Sequence, residues 1–207
     1  VLLVEGVPGI GKSTLIDALT RRYVNEQPAR KLRSLLHLTQ AHTYGPLAVD
    51  EDRGTLTAAQ NLAHLDRVAS LLEWHVRALA TELKPKFFAI IDTLHITHCH
   101  RPGVIAWRDV ASCDQRLADL GVKLISLHAE PATIWERGVW PRREEPFVTG
   151  YAARKWGPSL ESIHAYFVDE QAKMQASIAQ SHLPRLRLTV DGALDDYVDT
   201  AYRYWLD

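Results

Sequence analysis

Five short apolar runs punctuate the chain, and between them apolar residues return at steps of three and four. The first run, Val1 to Val4, is followed after a glycine-rich stretch by Leu15, Ala18 and Leu19, one helical face over Ser13 to Tyr23. A polar turn holding Pro28 leads to a second strand-length run, Leu32 to Thr39. Gln40 to Thr55 is polar and broken by Gly45, Pro46 and Gly54, which predicts a long loop bordering a site. From Thr57 to Leu83 the apolar positions Leu62, Leu65, Ala69, Leu72, Val76, Leu79 and Leu83 predict one long amphipathic helix, ended by Pro85. Phe87 to Ile91 is a third strand closing on Asp92; an irregular His-rich stretch then precedes a helix from Val110 to Leu120, ended at Gly121. Lys123 to Ala129 is the fourth strand. A helix opens near Pro131, runs through Arg137 and dissolves between Gly138 and Gly150. Leu160 to Ser181 reads as a helix, Leu186 to Val190 as the fifth strand and Asp195 to Leu206 as the last helix.

Strands alternating with helices predict an α/β fold: a five-stranded parallel sheet covered on both faces, with ligand outside the carboxyl ends of the strands. Without repeats or linkers, residues 1–207 read as a single domain. The 24 Lys and Arg residues nearly balance 25 Asp and Glu, so net charge supplies no drive toward nucleic acid or anionic membrane. Neither is expected as a partner. The two cysteines, Cys99 and Cys113, form no metal-type pair and fit a reducing compartment. Val1 already opens the first strand and no apolar stretch has membrane length, so the expectation is a cytoplasmic protein.

The turn after the first strand reads Gly6-x-x-x-x-Gly11-Lys12-Ser13, the complete phosphate-binding (Walker A) loop at its required spacing, between a strand and a helix. Glycines let backbone N–H groups close on phosphate oxygens, and the helix start adds partial positive charge. Gly9, Ile10, Gly11, Lys12, Ser13 and Thr14 would line the nucleotide phosphates, with the Thr14 side chain packed in the first helical turn. Lys12 would neutralise the β and γ oxygens, and Ser13 would offer its hydroxyl to Mg²⁺. No Asn-Lys-x-Asp guanine-binding run occurs, which favours ATP as donor.

Nearly the whole chain resembles the thymidylate kinase and deoxynucleoside kinase branch of the phosphate-loop kinases. The resemblance rests on Val4-Glu5-Gly6 with Gly11-Lys12-Ser13-Thr14, on Leu65-Asp66-Arg67-Val68, on Ile90-Ile91-Asp92, and on Glu130-Pro131, Glu136-Arg137 and Arg142-Arg143-Glu144-Glu145. It implies a three-layer P-loop NTPase fold with an arginine-bearing lid over about residues 137–157, an acceptor contact at Arg67, and often a homodimer. Pro8 stands where thymidylate kinases usually carry an acid, Asp92-Thr93-Leu94 where they carry Asp-Arg-Tyr, and Thr39-Gln40-Ala41-His42 where Arg-Glu-Pro is expected. These departures point to an altered acceptor pocket.

Asp92, ending a strand beside the loop, could hold Mg²⁺ or take the proton of an acceptor hydroxyl. Glu5 could contact the acceptor or hydrogen-bond to nearby backbone. Arg137, Arg142 and Arg143 are catalytic candidates, because guanidinium forks match the charge spread over a transferring phosphoryl group. Asp66 and Arg67 sit at the edge of the buried helix face. Tyr44, Trp74 and Trp107, with Arg108, could wall an acceptor, and His95 could approach it; the spacing of His95, His98, Cys99 and His100 matches no common zinc pattern. The expectation is an ATP- and Mg²⁺-dependent kinase acting on a nucleoside, nucleotide or related metabolite. An antibiotic or sugar phosphotransferase, or a nucleotide-binding switch, are the alternatives.

Overall fold

All five predicted strands form, and every pairing between them is parallel. A computed structural model describes residues 1–26, 34–82, 87–100, 103–144, 150 and 159–207 of the chain. The strands are β1 (Leu2–Glu5), β2 (Ser34–Leu38), β3 (Phe87–Asp92), β4 (Lys123–His128) and β5 (Arg185–Thr189), in the order β2-β3-β1-β4-β5. β1 lies at the centre with Leu2, Leu3 and Val4 fully buried, as a parallel strand covered on both faces requires. β5 is an edge strand; it exposes Arg185 and Arg187 and buries Leu188, a charged pattern that discourages further strand addition.

Right-handed crossovers dictate which face each helix covers. The first step, from β1 to the edge at β2, uses α1 (Lys12–Glu26); the chain then moves the other way through α4 (Ala58–Glu82), α6 (Trp107–Asp119) and α8 (Leu160–Gln180). Accordingly α1 packs with the final helix α9 (Leu194–Leu206) on one face, and α4 packs with α6 on the other. The stripe read along α4 is real: Leu65, Ala69 and Leu72 are buried, and each leucine contributes about 2 kcal/mol by leaving water. Thr57 and Gln60 cap this helix reciprocally, Gln60 N–H donating to Thr57 Oγ1 at 3.2 Å and Thr57 N–H to Gln60 Oε1 at 2.8 Å. Gly121, at φ 70°, closes α6 as a left-handed stop.

Three segments differ from expectation. The long loop predicted over Gln40 to Thr55 contains two helices, α2 (Gln40–Thr43) and α3 (Gly45–Asp52); Pro46 falls in the first turn of α3, where its missing N–H costs nothing. The irregular His-rich stretch is a helix, α5 (His95–His100), buried from His95 to Cys99. The helix opening at Pro131 is α only through Ile134 (α7); it widens to a π-helical turn over Trp135–Val139 and tightens to a 3-10 turn over Trp140–Arg142. The predicted turn at Pro28, the start of the second strand at Leu32, the helix end at Leu83 with its stop at Pro85, and much of the 137–157 segment lie outside the described residues. No helix among the described residues is long and apolar enough to cross a membrane.

Candidate functional site

β1 delivers the chain from the centre of the sheet into Gly6, and α1 begins at Lys12, so the glycine turn sits at the carboxyl end of the strands, where the chain has turned from one flank to the other. Val7 and Ile10 are buried and pin the turn to the core, while Gly11 adopts φ 106°. Leu15 N–H makes the first helical bond, to Gly11 O at 3.0 Å. The first turn of α1 therefore starts at Lys12, directly after the glycine turn. The Lys12 side chain is buried and donates to Gly6 O at 2.7 Å and Val7 O at 3.2 Å, which folds its ammonium over the turn. Ser13 is exposed. Thr14 is exposed too, so its side chain does not pack in the first turn as expected; it points away from the sheet while Leu15 and Ile16 take the buried positions.

Asp92 ends β3 in register with Val4, and is buried. Its carbonyl accepts the hydroxyls of Thr43 at 2.9 Å and Thr93 at 2.7 Å. Thr93 carries φ 58°, a left-handed conformation that is unfavourable for a β-branched residue. Its N–H donates to Val4 O at 3.0 Å, so the strained turn is held to β1. Ser13 and Asp92 offer oxygen donors only, the donor chemistry that Mg²⁺ takes.

Glu5 is fully buried and turns away from the glycine loop toward the start of α5. Its Oε1 accepts Leu94 N–H at 2.8 Å and Oε2 accepts the Thr97 hydroxyl at 2.6 Å. The carboxylate thus caps the amino end of the His-rich helix, where negative charge is favoured. The three imidazoles of α5 go to separate partners. His95 is fully buried and donates Nε2–H to Asp114 at 2.9 Å. His98 Nε2 lies 2.9 Å from Thr43 O and His64 Nε2 2.8 Å from the same oxygen, which as a carbonyl can only accept. His100 meets the Ser177 hydroxyl at 2.9 Å.

A buried polar framework missed by sequence reasoning therefore underlies the carboxyl end of β3: Thr43, Asn61, His64 and His98, with Asp114 behind it. Asp114 accepts from His95, from Ser181 Oγ at 2.6 Å and from His182 N–H at 2.7 Å. Burial alone would raise its carboxyl, but these hydrogen bonds prevail and bring it down to about 2. The Cys99 thiol is pushed up to about 12 by burial and the neighbouring Glu5, and Cys113 up to about 11 by burial. Neither offers a thiolate.

The remaining candidates are dispersed. Arg67 and Asp66 are both exposed on α4, outside the buried edge assigned to them; Asp66 pairs at 2.7 Å with Arg116 of α6, which also reaches Glu73. Tyr44 is buried, packs edge-on against His98 and donates to Glu51 at 2.5 Å. Trp107 is half-buried against His95, and Arg108 is exposed beside Asp109. Arg137 donates to Val190 O at 2.6 Å and Gly192 O at 2.8 Å, beyond the end of β5. Arg143 lies over the Trp140 ring, which in turn stacks on Trp135; Arg142 is half-buried on the same turn.

No protein-family model matches the chain, and no curated protein matches it in sequence. Among solved structures it is similar to YorR from Bacillus subtilis, a complex with phosphorylated GDP, at 13% identity and TM-score 0.57 over 98% of this chain and 94% of that one. An uncharacterized protein from Eubacterium ventriosum ATCC 27560 matches at 12% identity and TM-score 0.43, over 98% and 96%.

Proposed function

We propose that the chain is a phosphate-loop kinase of the thymidylate and deoxynucleoside kinase-like branch, moving the γ-phosphoryl group of ATP to a small acceptor of nucleoside or nucleotide type. The observation that carries this reading is the buried Lys12 ammonium held over Gly6 O and Val7 O, at the carboxyl end of the central strand and one strand away from Asp92. An ammonium buried over a glycine turn has given up water, and the negative oxygens of a bound phosphate would offset that loss. The nucleotide carried by YorR, whose fold is similar, supports the same reading.

Each side chain then has a bounded task. Lys12 and the first-turn N–H groups of α1 orient the terminal phosphates and take up the charge that develops on the bridging oxygen as the bond to the γ phosphorus breaks. Mg²⁺, held by Ser13 and Asp92, would supply further charge neutralisation at the β and γ oxygens. With Glu5 committed to α5, Asp92 is the carboxylate left to accept the proton of an acceptor hydroxyl. Arg142 and Arg143, on the turn that follows Gly138, are further candidate cations.

The test is ADP formation with and without a panel of nucleosides, nucleotides and sugars. Acceptor-stimulated release is expected, with Lys12→Ala lowering kcat/KM by about 100-fold or more. Turnover equally insensitive to Lys12→Ala and Asp92→Asn removes the kinase.

A further inference from the structure

The apex of the glycine turn is covered by the backbone of another element. A Cβ built on Gly9 would lie 2.5 Å from Gly138 Cα, and one built on Gly138 would lie 3.1 Å from Pro8 O. Pro8 is buried accordingly. Gly138 belongs to the π-helical turn Trp135–Val139, in which Trp140 N–H reaches back five residues to Trp135 O. Such a turn takes in an extra residue and shifts which position faces the neighbour, and π turns concentrate at functional sites.

The turn is itself anchored on its other side. Arg137, adjacent to Gly138, spans Val190 O and Gly192 O, and the Asp191 carboxylate between them accepts Glu130 N–H at 3.0 Å just ahead of α7. Hydrogen bonding from Thr133 holds that carboxyl below its usual range. The stretch from Glu130 to Val139 is therefore fastened to the chain beyond β5 at two points, and presents bare backbone to the glycine turn.

We propose that this π-helical turn is a backbone buttress for the phosphate loop, and that Gly138 is the positioning residue whose missing side chain sets where the apex at Pro8 and Gly9 stands. The inference rests on the phosphate-binding reading of Gly6 to Ser13. Gly138 does not adopt a left-handed φ, so its backbone would accept any residue; what the site demands is space. That distinction gives the proposal its sign. An alanine in a helical turn ordinarily stabilises the fold relative to glycine. Here the same methyl group pushes Pro8 O by a few tenths of an ångström and tilts the loop that must close on phosphate.

The experiment measures ATP affinity by calorimetry and thermal unfolding without nucleotide, on the full chain, for wild type, Gly138→Ala, Lys12→Ala and Pro8→Gly/Gly138→Ala. Gly138→Ala is expected to weaken ATP about tenfold, because the displaced loop meets the phosphates less well, with an unfolding temperature no lower than wild type. Pro8→Gly frees the apex to move and should restore most of that affinity, a coupling that a purely structural glycine would not show. Unchanged affinity in Gly138→Ala while Lys12→Ala loses binding overturns the buttress and leaves the phosphate loop standing. A destabilised Gly138→Ala chain, or no recovery in the double variant, also overturns it. If Lys12→Ala binds ATP like wild type, the phosphate-loop reading falls and the buttress falls with it.

Discussion

Replacing Asp114 tests whether the framework behind the site is held by one buried charge. The carboxylate is fully buried on α6 and gathers His95 from α5 together with Ser181 and His182 from the turn after α8. Asp114→Asn keeps the shape but turns an NH₂ toward two donors, so one acceptor is lost and a donor conflict is created. Removing one partner of a buried charged hydrogen-bond set costs about 3–5 kcal/mol, and the amide recovers part of that, so the expected loss at pH 7 is about 2–4 kcal/mol. With a urea slope of about 2 kcal/mol per molar, the unfolding midpoint should fall by about 1–2 M. The sign with pH follows from the same contacts. The folded-state carboxyl stands at about 2 against the usual 3.8, a difference worth about 2 kcal/mol. That stabilisation is fully present above the unfolded value and is lost as pH falls through the folded one. The gap between wild type and Asp114→Asn should therefore narrow between about pH 4 and pH 2 and stay constant above pH 5. An equal midpoint at pH 7, or a gap that ignores acid over that window, refutes the reasoning.

Arg137→Ala should leave the carbonyls of Val190 and Gly192 without their guanidinium and cost about 1–2 kcal/mol of stability in urea unfolding. Arg137→Lys should fail to restore it, because a single ammonium does not span two carbonyls as a fork does; full rescue by lysine would show that charge alone matters. Thr93→Val keeps the shape but deletes the hydroxyl that donates to Asp92 O, leaving the left-handed backbone uncompensated, at about 1–3 kcal/mol. Thr93→Gly relieves the backbone while losing the same bond and should cost less. Thermal unfolding that ranks the two variants the other way would show that the turn carries no strain.

The sheet was legible because its determinants are local. Val1 to Val4 and Phe87 to Ile91 are apolar runs of strand length, of which Leu2 to Val4 and Ala89 to Ile91 are buried, and the three-and-four stepping along Leu65, Ala69 and Leu72 leaves one helical face to pack. The glycine turn was legible for a related reason: its spacing encodes backbone shape directly. The loop predicted over Gln40 to Thr55 was misread because polar composition and Pro46 resemble loop signals, whereas a proline in a first turn is compatible with helix. The His-rich stretch was misread because its residues have weak intrinsic helix preference. Its helix forms where tertiary partners satisfy it, with Glu5 capping its start and Asp114, Thr43 and Ser177 receiving its imidazoles.

By itself, then, the order of residues determined the strands, the long helices and the glycine turn with its lysine, since each depends on neighbours within a few positions. Only the tertiary structure decided what Glu5, His95 and Arg137 are bonded to, and that Gly138 lies against Gly9. Those contacts join residues separated by tens to over a hundred positions, and hydrogen-bond partners and close backbone approaches of that kind leave no periodic trace along the chain.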